Sequence, residues 1–193
     1  MARVDISLAC QLLLAQKLGF LSFAEAQRYS SIKTMQTGTS NSNQHKGSIR
    51  LAMASDGSAV SKCINEAYSK YIDRLGKKPA PMLADYPELI ARQIVYVIGS
   101  ELEMRAVMVL FREDNHMHLG NLAVDPDYQR RGLGLAMMRF AEELAISNGL
   151  REIRLFTNVL MTENLDYYSK IGYFEYDRRT EDGYDRVFMK KKL

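Results

Sequence analysis

Ala123-Val124-Asp125-Pro126-Asp127-Tyr128-Gln129-Arg130-Arg131-Gly132-Leu133-Gly134-Leu135 is the stretch on which the reading of this 193-residue chain turns. An apolar strand ends at Val124, Pro126 breaks it, and a helix starts within a Gly-x-Gly turn. The first turn of a helix exposes unpaired N–H groups and carries about half a positive charge. Glycine lets the backbone approach a ligand closely, and Arg130 and Arg131 add fixed charge. Together these residues describe an anion site suited to a phosphate or pyrophosphate. An ordinary tight turn is the plain alternative for Gly132 and Gly134, and a solvated surface pair is the plain alternative for the two arginines.

Two other phosphate loops are excluded. The chain has no G-x-x-x-x-G-K-[ST], so it carries no nucleoside-triphosphate P-loop. A G-x-G-x-x-G dinucleotide loop needs a third glycine at 137, where Met137 stands. The strand before the loop also belongs to an antiparallel meander rather than to an opening βαβ unit.

Outward from the loop, the elements alternate regularly. Strands are expected at 48–54, 94–99, 101–111, 116–124, 153–158, 173–179 and 184–190. Helices are expected at about 58–75, 86–92, from the loop to about Asn148, and at 161–171, with Asp56 as N-cap of the first. This order predicts an α+β fold: a mixed, mostly antiparallel sheet of about seven strands flanked by about four helices.

The net charge of +3 sits away from this body. Of the 26 basic and 23 acidic side chains, 21 of each lie in residues 47–193. A neutral body excludes a nucleic-acid-binding surface built on clustered Lys and Arg. Two cysteines, Cys10 and Cys63, exclude a disulfide framework, and with three histidines no metal site is expected. No apolar stretch approaches the ~18 residues of a membrane span. A reducing, cytoplasmic setting is the default.

Residues 1–46 read as an N-terminal extension before a domain at 47–193. Residues 6–30 carry helical spacing, and 34–48 form a polar, Ser/Thr/Asn-rich linker. A weakly ordered extension is the favoured reading, with Met35 standing as an alternative start. A targeting peptide and a docking helix are the alternatives.

The loop resembles the [R/Q]-x-x-G-x-[G/A] signature of the GNAT superfamily of acyl-CoA-dependent N-acyltransferases, read here as Gln129-Arg130-Arg131-Gly132-Leu133-Gly134. Asn164…Tyr168-Ser169-Lys170-Ile171-Gly172-Tyr173 is similar to that family's N…Y-x-x-x-G-[F/Y] segment. The element order from 48 to 190 agrees with the family fold. The chain further looks like a bacterial subgroup of unassigned substrate. The resemblance implies acetyl-CoA as the acyl donor, no metal, and a primary amine of a small molecule or peptide as acceptor. It implies direct attack in a ternary complex. It assigns the pyrophosphate to the backbone of Gln129, Arg130, Arg131, Gly132, Leu133, Gly134 and Leu135. It implies that strands four and five splay apart, so that Leu122, Ala123 and Val124 pair with the pantetheine arm through main-chain atoms. Asn164 is assigned to CoA. Tyr168 is assigned to protonation of the departing thiolate, which a neutral phenol can do.

The base is less defined. His118 has a suitable pKa range, although a strand histidine beside His116 is the plainer reading. His118 and Asn121 are expected on opposite faces of their strand. Asp73, Asp85 and Glu101 are other acidic candidates. Tyr68, Tyr71, Met82 and Tyr86 are expected around the acceptor pocket, with Arg74 nearby. A non-catalytic acyl-CoA-binding regulatory module is the competing function. Homodimers are common in this fold, and no feature of the sequence decides for one.

Overall fold

The structure is a computed structural model and describes residues 47–193. The readings of residues 1–46, including the helix, most of the linker and the targeting peptide, lie outside the described residues. The long apolar runs form the centre of a seven-stranded sheet. Its strands are β1 (Ile49–Leu51), β2 (Val95–Gly99), β3 (Met104–Glu113), β4 (His116–Val124), β5 (Glu152–Asn158), β6 (Phe174–Glu181) and β7 (Tyr184–Lys192). The spatial order is β1-β2-β3-β4-β5-β7-β6. All neighbours are antiparallel except β4 and β5, which run parallel. Five helices flank the sheet: α1 (Gly57–Ser69), α2 (Ile72–Leu75), α3 (Tyr86–Ala91), α4 (Leu133–Ser147) and α5 (Thr162–Lys170). Among the described residues, no helix is long and apolar enough to cross a membrane.

Alternation along the strands splits the apolar residues into two cores. Met108, Leu110, Met117 and Leu119 face α4, where Met137, Phe140, Ala141 and Leu144 meet them. Val97, Val107, Val109 and Ala123 face α1, where Val60, Ile64 and Tyr68 meet them. Each face buries many large side chains, and a buried Leu, Ile or Met contributes about 1.5–3 kcal/mol.

The structure corrects several sequence expectations. The helix expected at 58–75 breaks after Ser69. The Tyr71 N–H bonds to Tyr68 O at 3.0 Å, an i→i−3 turn, and the Tyr71 ring is buried against Tyr68. Asp56 does not cap α1 with its side chain. Its carboxylate instead takes Arg50 at 2.7 and 2.9 Å and the Met53 N–H at 2.7 Å. Strand β3 starts at Met104 because Ser100 and Glu103 close a turn through reciprocal backbone bonds of 3.1 and 3.2 Å.

The most consequential difference lies in β4. Val109 pairs with Asn121 but Leu110 with Leu119, so Gly120 is an extra residue in a β-bulge. The bulge reverses the alternation. Met117 and Leu119 face the α4 core, yet Ala123 faces the α1 core. His118 stacks on Phe111, and Asn121 bonds Tyr68, both on the α1 side. His118 and Asn121 therefore share a face, contrary to the expectation from strict period two.

Candidate active site

The site begins where β4 and β5 part. They pair only at Met117–Ile153, His118–Arg154 and Leu119–Leu155. Beyond Leu119, β5 stays with β7 while the bulged β4 stays with β3. A gap opens between them, lined by Gly120, Asn121 and Leu122 on one side and Phe156, Thr157 and Asn158 on the other. Among the described residues, the edge of β4 that faces the gap has no strand partner there. Its unpaired N–H and C=O groups are suited to an extended, amide-bearing ligand. Leu122, Ala123 and Val124 lie on this segment, and Ala123 is core by its side chain.

The anion loop stands at the end of the gap. After the short 3-10 turn Pro126–Tyr128, Gln129 is extended and donates its side-chain N–H to the Val124 carbonyl at 3.0 Å. Arg130 has φ +60° and Gly132 φ +81°, so two left-handed residues bring the chain into α4. No side chain caps this helix. The N–H groups of Leu133, Gly134 and Leu135 stay available to an external acceptor. Arg130 and Arg131 are exposed, and neither pairs with a carboxylate among the described residues. The Arg131 guanidinium packs over the Tyr128 ring at 5.2 Å. A Cβ on Gly134 would fall 3.3 Å from the Tyr167 hydroxyl oxygen. Glycine there therefore keeps the helix close to α5.

Helix α5 supplies the third component. Tyr168 is 7% exposed and lines the gap, while its neighbour Tyr167 turns to the loop. Burial, with Tyr167 and Tyr71 adding to it, pushes the Tyr168 phenol well above its ordinary pKa. It is therefore a neutral proton donor across the physiological range. Asn164, one turn earlier, also lines the gap. It accepts from Tyr71 Oη and donates to Thr157 Oγ1, each at 3.4 Å. Across the gap, Tyr68 donates to Asn121 Oδ1 at 2.5 Å, and Asn121 donates to Tyr86 Oη at 3.5 Å. These tyrosines are largely committed to the core and to one another.

Several expected acidic groups are absent from this place. Asp85 caps α3 by accepting the Glu88 N–H at 3.1 Å. Arg74 pairs with Glu163 at 2.7 Å on the surface. Among the described residues lining the gap there is no Asp or Glu, and the charged group present is Arg186. Arg186 is 4% exposed and paired with Glu181 and Asp182 at 2.8 and 3.0 Å. The structure does not bring His118 into the lining. Its ring lies against Phe111 and Phe156, and its Nδ1 is 3.1 Å from Glu113. Sequence reading missed Thr157, Asn158, Tyr184 and Arg186, which come from strands whose pairing no local motif announces.

The acetyltransferase (GNAT) family pattern matches residues 67–173, and the chain belongs to that family. It is an acetyltransferase by that membership. Solved structures agree on the fold. PaiA N-acetyltransferase of Thermoplasma acidophilum, solved with coenzyme A, is 18% identical, with a TM-score of 0.63 over 76% of this chain and 98% of its own. The ribosomal-protein-S18-alanine N-acetyltransferase of Escherichia coli is 20% identical, with a TM-score of 0.60 over 75% and 92%. Ard1 of Thermoplasma volcanium is 18% identical, with a TM-score of 0.61 over 77% and 98%. No curated protein sequence matches the chain.

Proposed function

We propose that residues 47–193 form a cytoplasmic N-acetyltransferase domain that moves the acetyl group of acetyl-CoA onto a primary amine by direct attack in a ternary complex. The observation that carries the reading is the alignment of three features. These are an uncapped helix N-terminus, an unpaired strand edge leading from it, and a buried neutral tyrosine beside that edge. A long ligand with a pyrophosphate at one end, amides in the middle and a thioester at the other fits this line. The coenzyme A held by the Thermoplasma acidophilum neighbour supports the same donor here.

The residues then divide the work. Backbone N–H groups of Gly132 to Leu135, with Arg130 or Arg131, bind the pyrophosphate. Main-chain groups of Leu122, Ala123 and Val124 hold the arm, and Asn164 contacts it from α5. The acceptor nitrogen attacks the thioester carbonyl, and the C–S bond breaks as the C–N bond forms. Tyr168 donates its proton to the leaving thiolate and regains one from solvent. The nitrogen loses one proton, which closes the balance. Cys63 takes no part as a nucleophile: burial, chiefly, pushes its thiol up to about 12.

Two routes for the amine proton differ in a measurable way. A route through His118 makes that imidazole's ionisation limit the rate. A solvent route requires the amine to arrive neutral, and a lining without a carboxylate favours it. The solvent route selects weakly basic acceptors. At pH 7.5 roughly a third of an α-amine is neutral, against about one in a thousand lysine side chains. A peptide N-terminus or a weakly basic small amine is thus the preferred acceptor. An acetylation assay over a panel of peptides and small amines, read by mass spectrometry, tests the function. Acetyl-CoA binding without transfer to any amine would favour the non-catalytic module instead.

A further inference from the structure

The β3–β4 hairpin gathers three groups able to ligate a metal ion outside the gap. Glu113 ends β3, Asp114 and Asn115 make the turn with Asp114 at φ +49°, and His116 opens β4. The register sets Glu113 opposite His116 and Phe111 opposite His118. His116 and His118, two apart on one strand, project to the same face. Both rings converge on one oxygen: Glu113 Oε2 lies 3.3 Å from His116 Nε2 and 3.1 Å from His118 Nδ1. The three ligand atoms all lie within 4.8 Å of one another.

We propose that Glu113, His116 and His118 form a binding site for one divalent transition-metal ion, with zinc as its natural class of occupant. Donors bound to zinc at 2.0–2.1 Å in a tetrahedron are about 3.3 Å apart, so two of the three edges already have that length. Two imidazoles and one carboxylate favour zinc, cobalt, nickel or copper over calcium and magnesium. The walls are built for a fixed ring. Phe111 stacks on His118 with centroids 5.0 Å apart and Phe156 packs at 5.9 Å, while His116 is 6% exposed. One carboxylate against a dication leaves an open, net-positive position for water or an anion. Arg154 is near enough to feel Glu113 but is held by Glu152 at 2.6 Å. Arg112 points its Nε away, to the Asp114 carbonyl at 3.1 Å.

One feature limits the affinity. His116 Nδ1 is buried without a partner among the described residues. A metal on Nε2 puts the ring's N–H on that nitrogen, at a cost of roughly tenfold to a hundredfold in affinity. The site therefore binds more weakly than the same three donors with that nitrogen satisfied.

The full, untagged chain is stripped with EDTA and titrated with ZnCl2 by calorimetry, and separately with CoCl2 by visible absorption. The expected result is one Zn2+ per chain and an intense four- or five-coordinate cobalt band. Glu113→Gln and His118→Gln each weaken binding at least tenfold. Circular dichroism on the metal-free variants checks that they fold. Glu113→Gln, at the partly exposed end of β3, is the variant that keeps the test open if His118→Gln does not fold. Absence of zinc binding, a weak octahedral cobalt spectrum, or full binding by a folded Glu113→Gln would each overturn the proposal.

Discussion

Gln129 donates its side-chain N–H to the carbonyl of Val124 at 3.0 Å, tying the first residue of the anion loop to the last residue of the strand that borders the gap. In the proposed donor site, this bond holds the phosphate end and the pantetheine path in one geometry. Gln129 and Gly132 of the signature thus differ in role: the glycine shapes the backbone, and the glutamine locks its position. Gln129→Ala removes the bond and about 1 kcal/mol. It is expected to raise KM for acetyl-CoA roughly fivefold and to lower the melting temperature by no more than a few degrees.

Gly132 tests the loop by a different physics. A Cβ there meets nothing within 4 Å, so a small side chain does not clash. Its φ of +81° is the constraint. Gly132→Ala strains the turn by about 1–2 kcal/mol and should weaken acetyl-CoA binding several-fold. Gly132→Asn, which tolerates that region better, should keep more of it. Equal binding by all three forms, measured by calorimetry, would remove the loop from the donor site.

Tyr168→Phe keeps the packing and deletes the proton. It should lower kcat on the order of 100-fold and leave the Kd for acetyl-CoA nearly unchanged. Because burial raises this phenol's pKa, the wild type should show no alkaline decline in kcat up to about pH 10. A variant with unchanged kcat would assign Tyr168 to the core alone.

The ascending limb of the pH profile identifies the route of the amine proton. The solvent route makes kcat/KM rise with pH until the acceptor's own pKa. Two acceptors of different basicity should therefore show different midpoints. A shared midpoint, abolished by His118→Ala, would instead assign the base to His118.

Much of this was legible because it is local. The strand–Pro–Gly-x-Gly break at 124–134 and the spacing from Asn164 to Tyr168 to Gly172 each depend on neighbours along the chain. Relationships between distant segments were not. Nothing in HMHLGNLAV states that Gly120 is an extra residue, because the bulge exists only relative to Val109 and Leu110. That one residue moved Asn121 to the face of His118. The cluster of Glu113 with His116 and His118 was likewise hidden, since it exists only through the register that sets Glu113 opposite His116. Strand β7 inserts between β5 and β6, so Arg186 reaches the gap from a position that its sequence neighbours do not mark.

The clasp between Arg50 and Asp56 predicts an acid-sensitive stability. Asp56 is 1% exposed, and the Arg50 guanidinium holds its carboxyl below the ordinary range. A depressed folded pKa stabilises the fold above the unfolded value of about 3.9 and stops doing so as pH falls through the folded one. Asp56→Asn should cost about 2 kcal/mol at pH 7, and less below pH 3. Urea melts at the two pH values measure the difference.

Calorimetric titration of the full chain with acetyl-CoA tests the central claim most directly, because every assigned role depends on that ligand. One acetyl-CoA should bind per chain, with affinity falling as salt screens Arg130 and Arg131 and falling further in Gly132→Ala. Absence of binding to the intact, folded chain would contradict the account.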